Sequence, residues 1–145
     1  MKSLIARHKT IALDTSIFIY HFEGNPLYVG LTTLVLDRIQ SGKSRGIASE
    51  LSLHEILVRP LKLQLPDVAD EYELLLTSFP NLFLTPVSRQ ILLKAAELRA
   101  IHGFRAPDAI IIATAVVNRA TLLITNDKNW KRLKEPAIAC LDDFL

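Results

Sequence analysis

Short apolar runs of strand length alternate along this chain with stretches whose apolar residues recur at helical spacing, and this alternation most limits how it can fold. The strand-length runs are Thr10–Leu13, Arg45–Ala48, Leu82–Thr85, Thr121–Thr125 and Ala137–Leu141. Between them Leu31, Leu34, Val35 and Ile39 repeat every three or four residues, as do Val68, Ala69, Tyr72, Leu75 and Leu76, and then Ile91, Leu92, Ala95, Ala96 and Leu98. Pro66, Pro86 and Pro107 stand at the boundaries, and Gly24, Gly42 and Gly103 mark turns. Strands separated by helices are joined by right-handed crossovers, which predicts a largely parallel sheet with helices on both faces. The expected fold is α/β, three layers in the order α/β/α, around a mostly parallel central sheet of about five strands.

Nothing in the sequence divides it. With 145 residues, 50% of them hydrophobic, the chain can bury one sizeable core, and its five glycines are scattered rather than gathered into a linker. A single domain over residues 1–145 is expected. The apolar segment from Ala109 to Val117 is interrupted by Thr114 and falls short of the roughly 18 residues needed to cross a bilayer, so no membrane partner is expected. The residues before Asp14 lack the apolar core of an export signal. The one cysteine, Cys140, can form neither an internal disulfide nor a thiolate cage, and a cytoplasmic location is the expectation. Seventeen Lys and Arg against fifteen Asp and Glu give a net charge of +2, which names no partner.

Ligands of open parallel sheets bind beyond the carboxyl ends of the strands, where the strand order reverses. The residues just after each strand are therefore informative. Asp14 follows the first; Thr125 and Asn126 lead into Asp127 after the fourth; Glu55 lies about one turn into the helix after the second; and Asp108 opens the apolar helix after Pro107. Each acid alone has a plain structural reading. Ser52 and Glu55 have capping-box spacing, Asp108 complements a helix macrodipole, and Asp14 and Asp127 can cap the segments after them. Capping gives no reason for four acids to meet at one sheet edge, and the alternation predicts such a meeting for Asp14 and Asp127 at least. Carboxylates brought together repel unless a cation lies among them. Oxygen ligands without His or Cys at matching spacing suit Mg²⁺ or Mn²⁺ rather than Zn²⁺.

Four segments carry a family resemblance: Ile11-Ala-Leu-Asp14-Thr-Ser-Ile-Phe-Ile-Tyr20, Ser49-Glu-Leu-Ser-Leu-His-Glu55-Ile-Leu-Val-Arg-Pro60, Arg105-Ala-Pro-Asp108-Ala-Ile-Ile-Ile-Ala-Thr-Ala115 and Leu123-Ile-Thr-Asn-Asp127. In order and spacing they resemble the four acidic motifs of the PIN-domain family, particularly its VapC-like toxin branch. The resemblance implies a PIN-like fold and a metal-dependent endoribonuclease whose ligands and catalytic acids are Asp14, Glu55, Asp108 and Asp127. It implies one or two Mg²⁺ or Mn²⁺ ions, an RNA substrate, a cognate antitoxin and a homodimer, the last two using apolar surface on Tyr20, Phe22 and the helices between Leu31 and Ser78. Where the family often has Asn two residues after the first Asp, this chain has Ser16, a hydroxyl able to orient the carboxylate. A PIN nuclease of RNA processing and a non-catalytic RNA-binding scaffold of the same fold are the alternatives.

Around these acids, Thr125 and Asn126 are either tuning residues or turn formers, and Arg105 either touches phosphate or pairs with a neighbouring acid, or is a solvated surface residue. The cations Lys128, Lys131, Arg132 and Lys134 surround Trp130, as a phosphate grip or as a solvated helix with the indole inside. His8, His21, His54 and His102 share no ligand spacing. A receiver would need an acid in Leu82–Pro86, a haloacid-dehalogenase-like phosphatase a second Asp at position 16, and nucleotide binding a glycine-rich phosphate loop; none is present.

Overall fold

The computed structural model describes residues 1–145. In chain order the elements are α1 (Lys2–Ile5), β1 (Thr10–Leu13), α2 (Thr15–Phe22), α3 (Val29–Gln40), β2 (Arg45–Ser49), α4 (Glu50–Lys62), α5 (Pro66–Thr77), β3 (Leu82–Thr85), α6 (Arg89–His102), α7 (Ala106–Val117), β4 (Leu122–Thr125) and β5 (Ala137–Cys140). Two 3-10 turns, Lys128–Arg132 and Leu141–Phe144, flank β5. All five strands are parallel, in the order β3-β2-β1-β4-β5. The expected strands are therefore all present, within a residue or so at each end.

Alternation along the strands explains the layers. Ile11 and Leu13 face one side of β1, Ala12 the other; in β4, Leu122 and Ile124 oppose Leu123. One core packs Ile17, Phe18, Val35, Leu36, Ile39 and Leu76 against the first face. The second packs Ile91, Ala95, Ile111, Ile112 and Trp130 against the other. Both faces are thereby covered, which is why these strands read as continuous apolar runs. In α6 the buried seam is Ile91, Ala95 and Leu98, while Leu92 is exposed, so the helical stripe is narrower than its apolar residues suggest. Gly103 closes α6 at φ 72°, its N–H donating to Arg99 O, a left-handed cap that favours glycine.

No single helix is long and apolar enough to cross a membrane, and the apolar face of α7 is buried in the second core. What matters for function is the reversal between β1 and β4. The chain winds outward through β2 and β3, then returns to the other side of β1, and the cleft opens beyond the carboxyl ends of that central pair.

Candidate active site

Asp14 leaves β1 at the point of reversal, its N–H donating to Ile124 O at 2.9 Å. It caps α2, with Oδ1 accepting from Thr15 N at 2.7 Å. Oδ2 accepts from Thr125 Oγ1 at 2.7 Å and Ser16 Oγ at 3.2 Å. Three donors thus fix the carboxylate, and the cap expected of Asp14 is one part of that hold. Burial raises its pKa to about 6, and nearby Glu55 adds to the rise, against the opposing pull of the three donors.

Asp127 caps the 3-10 turn after β4, accepting from Asn129 N at 2.9 Å. Its own N–H donates to Thr125 Oγ1 at 3.0 Å. The Thr125 hydroxyl, fully buried, donates to one acid and accepts from the backbone of the other. Asn126 ties the same loop to the C-terminal turn: its Oδ1 accepts from Asp142 N at 3.1 Å, and its amide donates to the Tyr20 hydroxyl at 3.4 Å. Thr125 and Asn126 are thus both organisers of the loop carrying Asp127.

Glu55 forms no capping box. Ser49 caps α4 instead, accepting from Leu51 N at 3.1 Å, which places Glu55 beyond the first turn. Its Oε1 accepts from Thr15 Oγ1 at 2.6 Å. Because the Thr15 hydroxyl has one proton and gives it to Glu55, Ser52 Oγ, 2.7 Å away, is the donor to Thr15. Glu55 is therefore joined to the residue after Asp14.

Asp108 stands apart from this network. It lies in the first turn of α7, which leads directly into β4 and so runs against the strands; its opening lies at their carboxyl edge. Its only charged contact is Arg105 Nε, donating at 3.3 Å from an exposed side chain. The pairing alternative for Arg105 is the one observed.

A cleft of about 510 Å³ is lined by Asp14, Ser16, Tyr20, Asn126, Asp127, Lys128 and Asp142. Asp142 was not singled out from the sequence, although the signal was there: it stands two residues past β5, as Asp127 stands two past β4. It accepts from the Tyr28 hydroxyl at 2.7 Å and pairs with Lys128 at 3.3 Å, and the Tyr28 bond holds its pKa below the ordinary carboxylate value. Of the cations after Asp127, Lys131 pairs with Asp143, Arg132 lies over Phe104, and Trp130 is buried. The inward-indole reading of that segment is the one realised.

The sequence matches the PIN domain over residues 11–136. The chain belongs to the PIN-domain family. No curated protein matches it significantly in sequence. Its fold is similar to a toxin-antitoxin complex from Klebsiella pneumoniae, at 22% identity and TM-score 0.68, covering 90% of this chain and 97% of that one. It is similar also to VapBC2 from Rickettsia felis bound to a promoter DNA fragment, at 18% identity and TM-score 0.68, covering 90% and 98%. DNA-bound VapBC from Salmonella typhimurium gives 16% identity and TM-score 0.69 over 91% and 98%.

The PIN family implies a divalent metal, and the donors present bear on that. No group of three or more His, Cys, Asp or Glu side chains is placed to hold a metal ion, and neither Glu55 nor Asp108 lines the cleft that Asp14 and Asp127 share. Mg²⁺ does not require one: it is commonly held by one or two carboxylates and completes its shell with water and substrate phosphate. Asp14 and Asp127 share the cleft, both are oxygen donors, and a cation beside Asp14 would relieve the desolvation that raises its pKa. The residues fit a hard divalent ion.

Proposed function

We propose that this PIN-domain protein is a Mg²⁺- or Mn²⁺-dependent endoribonuclease, the toxin of a type II toxin-antitoxin pair. The observation that carries the reading is the triple hold on Asp14 at the strand reversal, facing the same cleft as Asp127. Asp14 and Asp127 would hold the metal, with Glu55 and Asp108 as the remaining acids of the set. When bound, such an ion activates water and offsets charge on the phosphodiester being hydrolysed. The chain's own residues supply the rest. Thr15, Ser16 and Thr125 orient Asp14; Thr15 also anchors Glu55; and Lys128, tethered by Asp142, places a cation at the cleft mouth.

Exposed Val58, Leu61, Leu63, Leu65, Leu74 and Leu75 on and between α4 and α5 support protein partners, a second copy of the chain and an antitoxin. The toxin-antitoxin assemblies of similar fold support the same reading. The direct test incubates a purified single-stranded RNA with wild-type and Asp14→Asn protein, with and without Mn²⁺. Metal-dependent cleavage by the wild type alone is expected. RNA binding without cleavage favours the scaffold alternative. Growth arrest on expression, relieved by the product of a small adjacent gene, separates a toxin from an RNA-processing nuclease.

A further inference from the structure

We propose that the amino edge of the sheet, opposite the acidic cleft, binds the sugar-phosphate backbone of single-stranded RNA through Lys2, Arg7, Lys9, Arg38, Lys43 and Arg45. That the polyanion is RNA rests on the ribonuclease reading; the surface itself rests on its charges and their partners. Lys9 precedes β1, Lys43 precedes β2 and Arg45 opens it, Arg38 lies in the last turn of α3, and Lys2 and Arg7 belong to or follow α1. The backbone draws them together: Arg45 N donates to Lys9 O at 2.7 Å, and Ser44 Oγ donates to His8 O at 2.6 Å.

Arg38 is held without being neutralised. Its Nε donates to Ser44 Oγ at 2.7 Å, and its Nη2 to Ala6 O at 3.2 Å and Lys43 O at 3.4 Å, all uncharged acceptors. The ion pairs of the protein use Arg59, Lys94, Arg105, Lys128 and Lys131, and none uses a cation of this edge. Lys2, Arg38 and Lys43 line one cleft of about 370 Å³ in which Asp37 is the only acid. Unpaired cations gathered on one edge repel one another, and a chain of phosphates relieves that repulsion by displacing mobile counterions.

An aromatic completes the surface. Arg45 lies over the Phe83 ring at 4.1 Å, and Phe83, on the edge strand β3, is 46% exposed. A basic surface with an exposed ring beside it suits an unpaired base, which can stack, better than a duplex, whose bases are already stacked. The strands are four or five residues long, so a strand of RNA held here lies within roughly 13–17 Å of the opposite edge and can continue toward the acidic cleft.

The test uses the triple variant Arg7→Ala/Lys9→Ala/Lys43→Ala, all exposed residues, and fluorescence anisotropy of a dye-labelled oligouridine in EDTA over a salt series. Binding about tenfold weaker or worse is expected, with the slope of log affinity against log salt shallower by about 2, near 0.7 for each phosphate no longer neutralised. Phe83→Ala should weaken binding without changing the slope. A Lys62→Ala/Arg89→Ala/Lys94→Ala control should behave as wild type. Equal affinity and slope in the two triples overturn the proposal, as does wild-type protein that ignores the oligouridine but binds phosphatidylserine vesicles. Cleavage is scored separately in Mn²⁺. Loss of binding in the edge triple when the wild type cuts no RNA leaves the surface standing and removes the ribonuclease reading; cleavage with unaltered binding does the reverse.

Discussion

Thr125 Oγ1 lies 2.7 Å from Asp14 Oδ2, joining residues 111 positions apart across the adjacent strands β4 and β1. The same oxygen accepts from Asp127 N at 3.0 Å. One buried hydroxyl therefore sets the rotamer of one acid and the backbone of the other, and its proton is committed to Asp14.

Thr125→Val keeps the shape and removes both bonds. Partners that orient metal ligands commonly contribute 10- to 100-fold in metal affinity or activity, and a loss of about that size is expected here. The fold should lose about 2 kcal/mol, roughly 1 kcal/mol for each of the two hydrogen bonds removed. Thr125→Ser should retain the function. Mn²⁺ titration followed by thermal melting, beside a cleavage assay, checks this; a valine variant with wild-type metal response would remove Thr125 from the site.

The raised pKa of Asp14, about 6 against 3.8, makes a signed prediction for stability. The folded protein holds this proton more tightly than the unfolded chain does. The contribution is therefore fully present below about pH 4 and is lost as pH rises through 6, costing up to about 3 kcal/mol above pH 7 at 1.36 kcal/mol per unit. Asp14→Asn cannot ionise, so without metal it should be more stable than wild type above pH 7, the difference shrinking toward pH 4. Urea denaturation in EDTA across that range measures it. A difference independent of pH would show that titration of Asp14 is not its source.

The readability of this chain depended on which interactions are local. Strands, their sequence order and the acids closing β1 and β4 are written in short windows, because the central strands β1, β2 and β4 are buried on both faces and each acid is the next residue but one or sooner. The caps of Asp14 and Asp127 were legible for the same reason. The role of Thr15 was not: it depends on Glu55 and Ser52 approaching from α4, 40 and 37 residues away. Ser52 and Glu55 have capping-box spacing, but the backbone enters the helix three residues earlier at Ser49, so the spacing serves a tertiary contact. Charge distribution was hidden too. The net +2 conceals both the acids gathered at the carboxyl edge and the cations gathered at the amino edge, which only the strand order separates.

Cys140 offers a probe of metal binding through a side chain that is not itself a proposed ligand. It is fully buried, burial holds its thiol pKa up, and its Sγ donates to Asn126 Oδ1 at 3.5 Å. Only the opened protein should react with a thiol reagent. A ligand that binds the folded state at 100 times its Kd adds about 2.7 kcal/mol, so saturating Mn²⁺ should slow labelling about 100-fold in wild type and leave Asp14→Asn unchanged. Rapid labelling of native, metal-free protein would show that the C-terminal turn opens independently of the site.

Gly46 tests the packing that holds the basic edge to the core. A Cβ built there meets Ile39 Cγ2 and Leu82 Cδ1 at 2.9 Å and Ile39 Cδ1 at 3.0 Å, closer than side chains tolerate. Gly46 lies in β2, bonded through its N–H to Asn81 O at 2.9 Å, and Ile39 is fully buried, so neither side can withdraw freely. Gly46→Ala should therefore destabilise by about 1–3 kcal/mol, the usual range for overpacking, despite alanine's lower conformational entropy in the unfolded chain. Leu82→Ala removes one of the opposing methyl groups but leaves Ile39, so the double variant should recover part of the strain and show a coupling between the two sites. Urea midpoints of the four proteins measure that coupling. Simple additivity would show that β2 shifts as a unit to accept the methyl group.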